Sequence, residues 1–92
     1  MEATTQTATD VRAALGRNIR IRRGQLRMSQ ALLAERTSDV IGSNVFDTQI
    51  SRWETGPSLP SVITLAAIAE VLLCTVDDLL ASPFTLEPPP GF

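Results

Sequence analysis

The stretch QISRWETG, residues 49–56, places a fork of hydrogen-bond donors among short hydroxyl side chains. On a helix, Phe46, Ile50 and Trp53 are four and three residues apart and share one side. Thr48, Ser51, Arg52 and Thr55 then occupy the other. The Arg52 guanidinium is planar and carries five N–H donors, so it suits a partner that offers two acceptors on one edge, or an oxyanion. Such a face binds; nothing around it suggests catalysis. The chain has no histidine to serve as a base, no glycine-rich phosphate loop and one cysteine. Asp77 and Asp78 are adjacent, but they read as carboxylates at a helix start, where the dipole favours them. Cys74 follows Leu72 and Leu73 and reads as a small core residue rather than a nucleophile. No zinc ligand set can be assembled from these residues, no cofactor is implied, and an enzyme is not expected.

Ninety-two residues suffice for one domain with a modest core. The opening MEATTQTATD has neither the basic end nor the apolar run of a signal peptide. The most apolar stretch, VITLAAIAEVLL at 62–73, is too short to span a bilayer and contains Glu70. A cytoplasmic protein without a membrane partner is expected. The net charge of −2 hides an asymmetry. Residues 12–36 carry seven arginines against Glu35 alone, whereas residues 37–92 carry Arg52 against seven acids. Screening confines such fields to about 8 Å at physiological salt, so a partner meets the local excess and not the total. The basic stretch is either a surface for a polyanion or an ordinary solvated helix face.

Five helices are needed to hold these residues in place, and no strand is indicated. Residues 1–9 form a lead without periodicity. Thr9 or Asp10 can cap a first helix over 10–25, whose apolar positions are Val11, Leu15, Ile19 and then Leu26. Ser29 is an N-cap for a second helix with Leu32 and Leu33 facing inward. A third helix begins at Asn44 to Asp47 and stops at Gly56, after which Pro57 and Pro60 keep the chain extended. Helix four covers 61–73 with Leu65, Ile68, Ala69 and Leu72 as its stripe, and is apolar nearly all round. Thr75 opens a short fifth helix with Asp78 three residues on, and Leu79 and Leu80 close the core. The domain spans 10–82, and a proline-rich tail occupies 83–92.

Taken together, LGRNIRIRR (15–23), MSQALLA (28–34), ISRWETG (50–56), PSVITLAAIAEVL (60–72) and TVDDLL (75–80) resemble the phage-repressor/Cro-type helix-turn-helix family. The resemblance covers roughly residues 11–80; each segment alone is weak, and their joint spacing is specific. It implies an all-α, five-helix, lambda-repressor-like domain with double-stranded DNA as its partner. Helix two then lies across the DNA backbone and helix three enters the major groove. Ile50 matches the buried residue in the middle of the recognition helix. The base-reading places fall on Asp47, Thr48, Gln49 and Arg52, with Ser51 and Thr55 beside them as phosphate contacts. Ser29 and Gln30 match the helix-two start that grips a phosphate, and Arg27 precedes them. Arg23 and Glu54 match an internal ion pair that joins helices one and three. Arg52 either forks onto a guanine or meets a phosphate; Asp47 either accepts from a cytosine amine or caps its helix.

The sequence departs from the family pattern in two places. Fifteen residues separate Ala34 from Ile50, about five more than a tight helix-turn-helix leaves. Either helix two is longer, which the placement of Val40 and Ile41 seven and eight residues after Leu33 allows, or the excess forms a loop. The linker GPSLPS also lacks the basic residues often found there. The function implied is a transcriptional repressor that binds a near-palindromic operator as a homodimer, with helix four, helix five, Phe84 and Leu86 as the seam. An antitoxin or restriction-controller autoregulator is one rival, and a protein-interaction module on the same fold is another. No small-molecule effector is suggested.

Overall fold

In the computed structural model, which describes residues 8–81, five helices succeed one another: α1 Ala8–Gln25, α2 Gln30–Ile41, α3 Asp47–Thr55, α4 Val62–Val71 and α5 Val76–Leu80. The expected lead and tail, with Phe84 and Leu86, lie outside the described residues. Three helix starts use the hydroxyl caps the sequence offers. Ser29 Oγ accepts from the Leu32 N–H at 3.0 Å and Ser61 Oγ from the Thr64 N–H at 3.2 Å. Thr75 Oγ1 accepts from the Asp78 N–H while Asp78 Oδ2 accepts from the Thr75 N–H, both at 3.0 Å. These two bonds form a capping box, and they hold the Asp78 carboxyl below the usual carboxylate range.

The core is one cluster. Leu15 and Ile19 of α1, Leu33 and Ala34 of α2, Ile50 and Trp53 of α3, Ile68 and Ala69 of α4, Leu72 and Leu79 meet in it. Helix α1 packs against α3 and α5, α2 against α3 and α4, and α4 against α5. The α1–α3 contact depends on Gly16. A Cβ at that position would lie 2.5 Å from the carbonyl oxygens of both Trp53 and Glu54. Backbone of α1 therefore rests directly on the last turn of α3. Buried Asn18 joins α1 to α5, its Nδ2 donating to the Leu79 carbonyl at 2.9 Å and to the Asp78 and Ala81 carbonyls.

Of the two readings of residues 35–49, the longer helix holds. Helix α2 runs to Ile41, half-buried against the core, and ends at Gly42 in the left-handed region (φ 75°) with its N–H on the Ser38 carbonyl. Val40, by contrast, is exposed. The connection to α3 is tied down by one hydroxyl. Ser38 Oγ accepts from the Val45 N–H at 2.8 Å and lies within bonding distance of the Ala34 and Val45 carbonyls.

Several local expectations need correction. Helix α1 is already formed at Ala8, so Thr9 and Asp10 lie within it and do not precede it. Phe46 does not share the buried side of α3. It is the extended N-cap residue (φ −110°), and Val45 takes the core position instead. Neither Asn44 nor Asp47 caps α3; the Gln49 side chain does, with Oε1 accepting from the Phe46 N–H at 2.9 Å. Helix α4 ends at Val71, before Leu73 turns left-handed (φ 59°). Leu80 is exposed, and Leu79 alone of that pair enters the core.

Gly16→Ala tests the α1–α3 contact. The methyl would press on two backbone carbonyls that have no rotamer to escape through. Stability should fall by at least about 2 kcal/mol, read as a lower urea midpoint; an unchanged midpoint would contradict this packing.

Candidate nucleic-acid interface

Helix α3 is short, and its orientation is set at both ends. Ile50, Trp53 and Glu54 face the core. The helical repeat then turns Thr48, Arg52 and Thr55 outward, and all three are exposed. Gln49 and Asp47 are exposed on the flanks, and Ser51 is half-buried. Six of the expected contact residues thus lie on one helix, and its outer face is polar. Gly56 ends it in the left-handed region (φ 100°), its N–H on the Arg52 carbonyl. Arg52 also lines a cleft of about 430 Å³ between the end of α2, α3 and the start of α4, together with Gln49, Asn44, Ser61 and Thr64.

Glu54 is the residue that fixes this helix to the other two. Its side chain is only 3 % exposed. Arg23 donates to it through Nε at 2.6 Å and through Nη2 at 3.0 Å, a bidentate pair. Gln30 Nε2 adds a third donor at 3.0 Å, and Arg23 Nη1 reaches back to the Met28 carbonyl at 3.0 Å. Glu54 is therefore neutralised inside the molecule and presents no negative charge to a partner. The same bonds change what Gln30 can offer. One of its two amide N–H donors is committed to Glu54, which leaves the second, with the Ser29 hydroxyl and the backbone N–H groups of the first turn, for an anion at the start of α2.

Two further side chains have part of their hydrogen-bonding capacity in use. Thr55 Oγ1 donates back to the Ser51 carbonyl at 3.0 Å. A phosphate needs a donor, so Thr55 can meet one only by releasing that bond. Gln49 Oε1 holds the Phe46 N–H, which leaves its Nε2 as the outward group. Arg27 is exposed at the α1–α2 junction with φ 55°. That left-handed conformation costs a residue with a Cβ about 1–2 kcal/mol.

The basic stretch is less uniform than its sequence suggests. Arg12 is half-buried, and Arg17, Arg20, Arg27 and Arg36 are exposed. Arg22 is 4 % exposed, with Nη1 donating to Gln25 Oε1 at 3.1 Å, and Arg23 is spent on Glu54. Sequence periodicity gave no sign of buried Arg22 or Asn18, since both types normally mark an exposed face. The Gln49 cap did have a signal: a glutamine three residues after the N-cap position. Burial pushes the Cys74 thiol up, which suits its half-buried place beside the core and not a nucleophile. Among the described residues no cluster of metal-ligand types occurs, and no helix is long and apolar enough to cross a membrane.

Residues 19–79 match the helix-turn-helix family. The chain belongs to that family. Among solved structures it is similar to the P22 c2 repressor protein, crystallised in complex with synthetic operator 9T in the presence of Tl+. The two are 33 % identical, with a TM-score of 0.63 over 72 % of this chain and 91 % of that one. Comparison with curated proteins gives no match. The five-helix, all-α architecture is that of the repressor, and the helix that holds Arg52 is the second of the helix-turn-helix pair.

Removing Glu54 should unfold this arrangement rather than free it. Glu54→Ala strands the Arg23 guanidinium and should cost about 3 kcal/mol or more. Replacing both charges together, as Arg23→Met with Glu54→Leu, should recover much of that loss, because neither charge is left alone. Chemical denaturation of the two variants checks both statements.

Proposed function

We infer that this protein is a DNA-binding transcriptional repressor that reads its operator with the outer face of α3 in the major groove. One observation carries this reading: Thr48, Arg52 and Thr55 project from a helix held at a fixed angle by Glu54, in a chain whose fold matches a repressor crystallised on operator DNA. The domain extends over residues 10–82. The protein acts in the cytoplasm, on the nucleoid, and carries no catalytic function.

Roles follow from chemistry and position. Arg52 is the main base reader, since its fork fits guanine O6 and N7. Thr48 and Gln49 read beside it, and Asp47 at the first turn favours the helix dipole and faces a base amine. Ser29, with the N–H groups at the start of α2, holds one phosphate. Arg27 holds another; the strained backbone at that site is consistent with a residue retained for its charge. Ser51 and Thr55 lie against the DNA backbone. Exposed Arg17, Arg20 and Arg36 add attraction that salt weakens.

A single short domain reads few base pairs, so two copies act together on a near-palindromic operator. Val62 and Ile63 at the start of α4 are 83 % and 73 % exposed, and Leu59 is exposed beside them. A second copy that covers these side chains removes the largest exposed aliphatic groups of the described residues. It also sets the distance between two α3 helices, because α4 begins at the edge of the cleft that Arg52 lines.

Selection of bound sequences from a random DNA pool tests the reading, and two substitutions separate base recognition from backbone contact. Arg52→Ala should lose roughly 1–3 kcal/mol at one base position of each half-site and flatten preference there alone. Arg27→Ala should weaken all sequences about equally and lower the salt slope by about one unit per lost phosphate contact. If Arg52→Ala weakens all sequences evenly, Arg52 is a phosphate clamp and not a reader.

A further inference from the structure

Phe46 is 58 % exposed, although a phenylalanine at a helix start ordinarily packs inward. Its position is not the result of a loose chain. The residue before it, Val45, is buried and bonded through its N–H to Ser38 Oγ. Its own N–H is held by Gln49 Oε1, and its carbonyl accepts from the Gln49 and Ile50 N–H groups at 2.9 and 3.2 Å. The backbone on both sides is fixed, and the ring is directed to solvent at the start of the helix that carries Thr48 and Arg52.

The bond between Phe46 and Gln49 also sets the chemistry of the pair. With Oε1 holding the Phe46 N–H, Gln49 presents Nε2, a donor, and Phe46, three residues earlier, presents an exposed apolar ring. In the major groove one base edge complements both. Thymine presents the O4 acceptor and, beside it, the C5 methyl. Cytosine presents an amine where the acceptor is needed and no methyl. Adenine presents a polar N6 amine, and no methyl, where the ring would lie.

We propose that Phe46 and Gln49 form a thymine-reading pair, in which Gln49 Nε2 donates to O4 and the Phe46 ring covers the C5 methyl. The pair reads a base position different from that of Arg52. It rests on the inference that α3 enters the major groove, and it adds a specificity-determining residue, Phe46, to that contact.

Deoxyuridine tests the pair, because it keeps O4 and lacks only the methyl. On the selected operator, each conserved thymine is replaced in turn by deoxyuridine, and binding is measured for the wild-type chain and for Phe46→Ala. At one position per half-site the wild type should lose about three- to fivefold in affinity, the change expected for one buried methyl. Phe46→Ala should show no difference between thymine and deoxyuridine at that position, while its preference at the Arg52 position stays intact. Phe46→Leu should restore part of the methyl dependence. Because the ring is exposed, the melting temperature of Phe46→Ala should match wild type, and circular dichroism confirms the fold. Absence of any methyl-dependent position in a wild-type chain that selects a specific sequence overturns the thymine pair alone. A methyl dependence that persists in Phe46→Ala overturns it as well. A folded wild-type chain that selects no sequence overturns the DNA-reading inference itself.

Discussion

Burying the Glu54 carboxylate imposes the geometry of this domain. A carboxylate with so little exposure is tolerable only if it is well supplied with donors. Here the donors come from elsewhere in the chain: two N–H groups of Arg23 in α1 and the amide of Gln30 in α2. Satisfying one acceptor therefore brings the end of α1, the start of α2 and the last turn of α3 to a single point. Gly16 makes the approach possible, since only a residue without a Cβ lets α1 rest on the Trp53 and Glu54 carbonyls. The outward angle of Arg52 is set by Glu54, two residues later on the same turn. Binding face and core are therefore coupled through the backbone of α3, and a change at Glu54 reaches both.

This coupling also accounts for an acidic chain with an arginine-rich first third. Charge counted along the sequence overstates what the surface offers, because Arg22 is buried and Arg23 is neutralised. It equally overstates the opposition: Glu54 lies within α3 yet is internal, and Asp78 is bound into its own helix cap. What remains on the α1–α2 side is a set of exposed arginines with few acids among them. Screening lets a nearby polyanion respond to that side while the distal acids set the low overall pI.

The parts of the fold that were legible from sequence were those governed by local rules. Ser29 and Thr75 cap helices because a hydroxyl at an N-cap needs only its own next three residues; Ser61 does the same for α4, which begins one residue after its expected start. Gly56 ends α3 because the left-handed region favours glycine. The stripe of Leu65, Ile68, Ala69 and Leu72 followed from the helical repeat. Features decided by distant partners were not legible. The polar types of Asn18 and Arg22 give no hint of burial; Asn18 is held by the carbonyls at the end of α5, and Arg22 lies beside Cys74 and Asp78. Phe46 read as core because its spacing to Ile50 fits a helix; the helix instead begins one residue later, which takes Phe46 out of the repeat. For the candidate site, periodicity alone identified the outer face of α3. The bond that engages Gln30 required the packed structure, because its partner Glu54 lies on another helix.

The lengthened α2 changes how a helix-turn-helix positions its second helix. A tight turn fixes that helix by brevity, since few backbone conformations connect the two. Here α2 gains residues up to Ile41, and five residues separate it from α3. Brevity no longer specifies where α3 begins, so side chains must. Ser38 holds Val45 in place, Val45 enters the core, and Gln49 closes the first turn by binding the Phe46 N–H. The last of these comes from a residue proposed above to read bases. Gln49 commits its oxygen to positioning the helix and keeps its amide donors, and Phe46 is left exposed at the helix start. In the proposed reading, positioning and recognition thus draw on one side chain. A sequence that restored a short turn would fix the start of α3 by brevity and relieve Gln49 of this task.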